Sequence, residues 1–301
     1  MANNNMIDLS PLFFEESRIP ATLYHYTSIS SFIEIMKAQA CFYATHYSFL
    51  NDGFEIAYGK NLFDSFLERI YPNLFFEYFA KLKEDVNKNA WFITSFSEVD
   101  DDLGQWRAYT DKINGGVSIG FKSNEILKKI SYDIFYSSDI ALHEKMANFF
   151  LNQKPVNILK CMYKQDEIEN FLQKEIQWID TDFKTNMTRP DSIDKNTLYD
   201  AYLGNLTDLR LLTASFAKNS SFSLEKEWRI VLWKDFTNEP LIFLAGKPRI
   251  KAFELDHKAM IDSITISPHG NQKLNYKLAE ILCAALHISP VIRVSESSYI
   301  G

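Results

Sequence analysis

The chain has 301 residues, of which 46% are hydrophobic and 15% aromatic, so it can bury a large core as one large domain or two small ones. Its formal net charge of −7 argues against a broad basic surface that would bind duplex nucleic acid. The cysteines lie far apart, which argues against a disulfide framework and a cysteine zinc site and indicates a reducing compartment: Cys41, Cys161 and Cys283.

The amino-terminal segment 1–20 is polar with a short apolar patch, and we expect it to be an arm laid on the domain. It contains no basic region followed by a long apolar run, so the sequence predicts neither a signal peptide nor a membrane span. We therefore expect a cytoplasmic protein.

A strand at Thr22–Tyr26, a helix with one apolar face and a second strand at Cys41–Thr45 open the predicted fold. In the second strand, Phe42 and Ala44 should point away from Tyr43 because side chains alternate between the two faces of a strand. Two helices are predicted after a turn, at Glu55–Ile70 and Asn73–Asn87.

The stretch from Trp91 to Phe121 has the pattern of a strand, a polar loop and a second strand behind a Gly115-Gly116 turn. The loop contains an acidic run, Asp100–Asp102, and then a group of residues within about one helical turn: Gln105, Trp106, Arg107 and Tyr109. Such a loop can bind a small molecule, or it can be a capped helix packed over a sheet edge.

The middle third is predicted to be a helical insertion at about 139–216, preceded by a short strand at Tyr132–Tyr136. Its helices are predicted at Ile140–Asn152, Asp166–Asn186 and Lys195–Phe216. The final third returns to strands, with one helix capped by Asn271 and carrying Leu274, Leu278, Ile281 and Leu282 on one face. These strands are predicted at Trp228–Trp233, Leu241–Leu244, Lys251–Leu255, Ile261–Ile266 and Pro290–Val294.

Strands at both ends with helices between them indicate an α+β fold with a mixed sheet, in a single domain that spans residues 1–301. The regular alternation of a doubly wound nucleotide fold is missing. The sequence also contains no glycine-rich phosphate loop, no zinc-protease motif and no hydrolase elbow.

Glu227 is the sharpest anomaly, because a carboxylate that enters an apolar strand is costly unless its charge is used or paired. It can be functional, or it can form an ion pair with Arg229 or Lys226. His25 can likewise bind a ligand or be a satisfied strand histidine. The Asp100–Asp102 run is better explained as a solvated loop or helix cap than as a metal site.

Three segments together resemble successive blocks of the bacterial family catalogued as domain of unknown function 2971. They are LNDGFE at Leu50–Glu55, SFSEVDDDLGQWRAYTDKINGGVSIGF at Ser95–Phe121 and LEKEWRIV at Leu224–Val231. The ends LYHYTS, ISPHG and VIRVSESSY are also similar, so the resemblance covers nearly the whole chain from Leu23 onward. The chain departs from the family at Gly53, where proline is usual, and at Gln105, where methionine is usual.

The front end, with His25 and Thr27 followed by a helix and the strand FYAT, also resembles ADP-ribosyltransferases of the His-Tyr-Glu class, and EWRIV resembles the strand that bears their glutamate. This resemblance implies a split sheet, NAD as substrate and no metal. Glu227 would be catalytic, with His25 on the ribose and Tyr43 stacked on nicotinamide. The residues expected to bind NAD are His25, Tyr26, Thr27, Tyr43, Ser95, Trp106, Tyr109 and Arg229.

The implied function is that of a bacterial toxin or anti-phage defence effector that transfers ADP-ribose to an unknown protein or nucleic-acid acceptor, or to water. An antitoxin or defence partner is expected, and a membrane partner is not. A carboxylate held near the ribose suits this reaction, because it stabilises the positive charge that develops as the glycosidic bond breaks. The alternative is a non-catalytic nucleotide-sensing or partner-binding module.

Overall fold

The computed structural model describes residues 19–50, 53–81, 89–135, 158–188, 194–235, 241–244 and 246–297. The strands are β1 (Thr22–Ser28), β2 (Cys41–His46), β3 (Asn89–Ser97), β4 (Gly116–Lys122), β5 (Ile158–Lys160), β6 (Glu227–Asp235), β7 (Ile242–Leu244), β8 (Lys247–Glu254), β9 (Ile261–Ile266) and β10 (Val291–Val294). The helices are α1 (Ile29–Ile35), α2 (Gly53–Ile70), α3 (Pro72–Lys81), α4 (Leu103–Tyr109), α5 (Ser123–Phe135), α6 (Gln165–Met187), α7 (Lys195–Phe216), α8 (His257–Met260) and α9 (Gln272–Ala285). Most of the predicted amino-terminal arm and the predicted helix at Ile140–Asn152 lie outside these ranges.

The strands form one open sheet that divides at β3. One edge of β3 pairs with β6 along its whole length, from Asn89 opposite Asp235 to Ser97 opposite Glu227. The other edge pairs with β2 near Ile93 and with β1 at Ser97. One arm continues as β1, β4, β9 and β10, and the other as β2, β8 and β7. Among the described strands, every pairing is antiparallel except that of β9 with β10, so the expected α+β fold with a mixed sheet is confirmed.

Each face of the sheet carries its own apolar core. We define the first face by Phe42, Phe96 and Trp228, which pack in one core with residues of α1, α5, α8 and α9. The second face is defined by Ile93 and Val231, which pack in a second core with residues of α2, α3, α6 and α7. A core on both faces of the central strands explains the uninterrupted apolar runs at 90–93 in β3 and 230–233 in β6.

The predicted strand at Tyr132–Tyr136 is wrong, because Ser123–Phe135 form the helix α5. Ile126 and Ile130 are four residues apart and both are buried, so the helical spacing of apolar residues begins before the aromatic segment that suggested a strand. The middle third also contributes a strand that the sequence did not predict. This strand, β5, pairs with β6. It has only three residues, which is too short for a recognisable alternating pattern.

The carboxy-terminal helix α9 begins after Asn271 as predicted, and its predicted apolar face is only partly buried. Leu282 packs against the first core, but Leu274 and Ile281 are exposed, and the fully buried residues are Asn275, Ala279 and Cys283. The side chain of Asn275 donates a hydrogen bond to the carbonyl of Asn114 at 2.8 Å, which attaches α9 to the turn before β4. The buried face thus combines small apolar residues with one amide that has a backbone partner.

The core of the first face depends on Phe42. Its ring lies 5.6 Å from that of Phe96, 5.5 Å from that of Phe121 and 5.3 Å from that of Phe253, across strands of both arms. We expect Phe42→Ala to lower the free energy of unfolding by about 3–5 kcal/mol, since it leaves a cavity in a close-packed core. Denaturant unfolding measures this loss.

The control is Phe76→Ala on α3, because that ring is 67% exposed. It should change the free energy of unfolding by no more than about 0.5 kcal/mol. A loss below about 1 kcal/mol for Phe42→Ala would contradict the described core.

Candidate functional site

Five charged residues meet on the second face, at the end of the sheet where β6 begins. We call Glu55, Lys218, Glu225, Glu227 and Arg229 the ionic cluster. Glu227 and Arg229 point to the same face because they are two residues apart on β6. Arg229 Nε donates a hydrogen bond to Glu227 Oε1 at 2.8 Å, and Lys218 Nζ donates one to Glu227 Oε2 at 2.6 Å.

The remaining carboxylates contact the same two cations. Arg229 Nη2 lies 2.5 Å from Glu55 Oε1, and Lys218 Nζ lies 3.1 Å from the same oxygen. Lys218 also forms an ion pair with Glu225. Three carboxylates therefore share two cations, and the cluster has one excess negative charge when all five groups are ionised.

Local backbone structure brings Lys218 and the two glutamates of the LEKEWRIV segment together. Helix α7 ends at Phe216, and the backbone N–H of Lys218 then donates to the Met162 carbonyl at 2.9 Å. A 3₁₀ segment, Ser220–Glu225, turns the chain back. It ends at Lys226, whose left-handed φ of 44° allows the sharp entry into β6.

The two glutamates that share Lys218 have pKa values displaced in opposite directions. Burial alone would raise the pKa of Glu227, but Arg229 and Lys218 outweigh it and lower that pKa to about 2. Burial raises the pKa of Glu225 above its usual value, and its hydrogen bond to Lys218 does not reverse this. Burial opposes the charge of Lys218, but Glu227 and Glu55 raise its pKa. Opposite displacements of this kind are typical of acid–base pairs.

Glu225 is the member of the pair that solvent reaches, because its side chain is 22% exposed and that of Glu227 only 6%. Polar groups surround both. Ser97 Oγ donates to the Glu225 carbonyl at 2.8 Å, and the backbone N–H of Glu227 donates to Tyr163 Oη at 2.9 Å. Burial and then the charges of Glu227 and Glu225 raise the pKa of Tyr109.

The second face carries Glu227 and several of the residues expected to bind NAD: Tyr26, Tyr43, Ser95 and Arg229. Trp106 packs against Tyr26, and Tyr109 is the last residue of the same helix, α4. Ser95 lies directly opposite Arg229 across the β3–β6 pair and is partly exposed. Tyr43 is partly exposed on β2, and it points away from Phe42 and Ala44 as predicted.

Tyr26 and Trp106 are buried packing residues on this face. Their rings are 4.7 Å apart, and Tyr26 Oη donates to the Val99 carbonyl at 2.7 Å. Trp106 Nε1 donates to Asp101 Oδ1 at 2.6 Å, and the indole is fully buried. These two residues position the loop between β3 and α4.

His25 and Thr27 lie on the first face, so the structure does not bring His25 together with Glu227. His25 is opposite Ile119 in the β1–β4 pair, and its ring is 4.8 Å from that of Phe42. Its Nδ1 donates to the Ser95 carbonyl at 3.0 Å, at the point on the β3 edge where the two arms separate. Burial lowers the pKa of His25 to about 4, so the ring is neutral at pH 7.

The acidic run Asp100–Asp102 caps helix α4 and binds residues near the carboxy-terminal end of the described chain. Asp102 caps α4 by accepting from the backbone N–H of Gln105 at 2.9 Å, as the cap interpretation predicts. Asp101 accepts from the backbone N–H of Glu296 at 2.8 Å and from Ser295 Oγ at 2.5 Å, and Asp100 forms an ion pair with Arg293. Within the described ranges, no group of three or more histidine, cysteine or acidic side chains could hold a metal ion.

Sequence reasoning did not select four residues that the site depends on: Glu55, Tyr163, Lys218 and Glu225. Glu55 and Glu225 lie in the LNDGFE and LEKEWRIV segments, so their place in these two segments could have marked them as candidates. Lys218 follows a long helix and lies in neither motif, so no sequence signal marks it.

The family model described as "Protein of unknown function (DUF2971)" matches residues 105–230. The matched segment includes Lys218, Glu225, Glu227 and Arg229, and the family resemblance is confirmed over these residues. No curated protein and no solved structure matches the chain. Among the described helices, none is both long and apolar enough to cross a membrane.

We expect Glu227→Gln to lower the free energy of unfolding by about 3–5 kcal/mol, because it leaves Arg229 and Lys218 buried with less negative charge. Glu225→Gln should cost about 1 kcal/mol or less, since Glu225 is partly exposed and Lys218 keeps its ion pairs with Glu227 and Glu55. Denaturant unfolding at pH 7 compares the two variants. Equal losses in the two variants would contradict the description of Glu227 as the buried partner of both cations and of Glu225 as a partly exposed partner of Lys218.

The pKa of His25, about 4, lies below its ordinary value, so the unfolded chain binds the proton first as pH falls. Its contribution to stability is therefore present above pH 6.5 and is lost between pH 6.5 and 4, by up to about 3 kcal/mol. The contribution of Glu227 is lost at lower pH, between about 4.5 and 2.

We expect His25→Gln to remove the part of the stability loss between pH 6.5 and 4 that His25 causes, because glutamine can keep a donor for the Ser95 carbonyl without titrating. Urea unfolding at several pH values measures it. The exposed His287 provides the control His287→Asn, since asparagine tolerates its φ of 55°. An unchanged slope in His25→Gln would contradict the assignment.

Proposed function

We propose that this protein, which is similar to the DUF2971 family over residues 105–230, is a cytoplasmic, ADP-ribosyltransferase-like enzyme that uses NAD. The observation that carries this proposal is the pair Glu225 and Glu227, which share Lys218 and have oppositely displaced pKa values. The divided sheet supports it, because β1 and β2 leave an open stretch of β3 beside Ser95.

Glu227 would be the fixed, ionised carboxylate. Its two oxygens are held by Arg229 and Lys218, so its position does not need to reorganise when positive charge develops on the ribose. The one excess negative charge of the ionic cluster favours that developing charge. Arg229 and Lys218 are then positioning residues.

Glu225 would be the general base. It is partly exposed, and burial raises its pKa above the usual value of a glutamate, which makes its carboxylate a stronger base. In the reaction, the bond between nicotinamide and the ribose carbon breaks, and nicotinamide leaves with the electron pair. An acceptor hydroxyl or water forms the new bond to that carbon, and its proton passes to Glu225.

His25 would act through β3. It points to the first face, away from Glu227, and its hydrogen bond holds the Ser95 carbonyl. We therefore replace the ribose contact suggested by the family resemblance with a positioning role. Tyr43, Ser95 and Tyr109 remain the residues proposed to contact NAD, and a toxin or anti-phage defence role remains part of the proposal.

A second candidate is a non-catalytic nucleotide-sensing or partner-binding module. It is favoured by the complete pairing of Glu227, because both of its oxygens already accept hydrogen bonds from Arg229 and Lys218. NAD should then raise the melting temperature without releasing nicotinamide.

The enzyme proposal predicts that purified protein releases nicotinamide from NAD, measured by chromatography with and without cell lysate as acceptor source. Glu225→Gln should slow release by about 10²–10⁴-fold, the usual contribution of a general base. Glu227→Gln should also slow it, and Glu34→Gln should not, since the Glu34 side chain is 67% exposed. Absent release, or release undiminished in both site variants, would contradict the proposal.

The pH dependence separates the two glutamates. Release should rise with pH through the raised pKa of Glu225, because only the ionised carboxylate accepts a proton. This rise of the release rate with pH should disappear in Glu225→Gln and persist in Glu34→Gln. If it is unchanged in Glu225→Gln, the general base is another residue.

A further inference from the structure

Arg249 occupies the centre of the β2–β8–β7 arm. It lies opposite Thr45 on β2 and opposite Ile242 on β7. Thr45 is in turn opposite Ile93, so Arg249 lies on the second face, the face of Ser95 and Glu227. The guanidinium is partly buried, and its Nε is buried without a hydrogen-bond partner among the described residues.

A second cation lies beside it on the same strand and face. Burial and then the charge of Arg249 lower the pKa of Lys247, and burial lowers the pKa of Arg249. Burying the charge of Arg249 is costly, and its Nε has no hydrogen-bond partner among the described residues. An anion bound at Arg249 would offset this cost.

The arm faces the open stretch of β3. Tyr43 and Thr45 on β2 and Ser95 on β3 are partly exposed on the second face. Ser95 is opposite Arg229 of the ionic cluster, and on the other side of β3, Thr45 of β2 is opposite both Ile93 and Arg249. Arg249 therefore lies on the opposite side of this open stretch from the ionic cluster.

We propose that Arg249, supported by Lys247, binds the pyrophosphate of the nucleotide substrate whose ribose reacts at the ionic cluster, a proposal that rests on the proposed function. A guanidinium offers two parallel N–H donors to phosphate oxygens and stays charged when partly buried. The site selects a nucleoside diphosphate over a nucleoside and positions the substrate across the open stretch of β3.

Binding of inorganic pyrophosphate, ADP-ribose and adenosine, measured by calorimetry at low ionic strength, tests this site. Arg249→Gln should weaken pyrophosphate and ADP-ribose binding at least tenfold and leave any adenosine binding unchanged. Arg249→Lys should weaken it less. The matched control is Lys251→Gln on the same strand, because Lys251 is exposed and paired with Glu254 at 2.7 Å; it should bind like the unmodified protein.

Pyrophosphate or ADP-ribose that binds Arg249→Gln as tightly as the unmodified protein, or does not bind the unmodified protein at all, overturns the proposal. The anion site and the catalytic proposal fail separately. Pyrophosphate binding that depends on Arg249 in a protein that never releases nicotinamide supports the site and rejects the enzyme.

Folding is checked by the melting temperature without ligand. Arg249→Gln removes a partly buried charge whose Nε has no partner in the described part of the chain, so its melting temperature should equal or exceed that of the unmodified protein. Should Arg249→Gln fail to fold, Arg249→Lys keeps the charge without the paired donors. Unaltered pyrophosphate binding in that variant overturns the proposal, and a several-fold weakening at an unchanged melting temperature supports it.

Discussion

The pairing of Glu227 with Arg229 and Lys218 connects elements that are far apart in the sequence. Glu55 belongs to α2, Lys218 follows α7, and the other two residues lie on β6. Removing such charges from water is costly, and their attraction compensates only when the geometry satisfies every donor and acceptor. The arrangement therefore fixes how the helices of the second face approach the sheet. The same constraint holds a carboxylate at one defined place.

The division of the sheet creates a different requirement. Where β1 and β2 separate, the edge of β3 would present an unpaired carbonyl at Ser95, and His25 supplies its donor. A neutral imidazole is suited to this place because a charged ring would be unfavourable among Phe42 and Phe96. The divided sheet thus combines an open second face with a closed, aromatic first face.

Much of this architecture could be predicted, because it depends on periodicity. Helix α7 has the predicted bounds, and the strand–loop–strand stretch became β3, α4 and β4. The anomaly at Glu227 was real, and its ion pair with Arg229 was among the predicted alternatives. Lys218 could not be predicted, since its contact arises from a turn and a long-range approach. The opposite orientations of His25 and Glu227 could not be predicted either, because they depend on the strand register.

The hydrogen bonds of Asp101 have a consequence for the order in which the protein assembles. Asp101 binds Ser295, a residue 194 positions later in the chain, and also holds Trp106 at the start of α4. Contacts between residues so distant in sequence form after local ones. During synthesis, the loop beside Tyr109 therefore lacks this attachment until residue 295 has left the ribosome. A growing chain would therefore contain all the residues of the ionic cluster before the hydrogen bond between Asp101 and Ser295 can form.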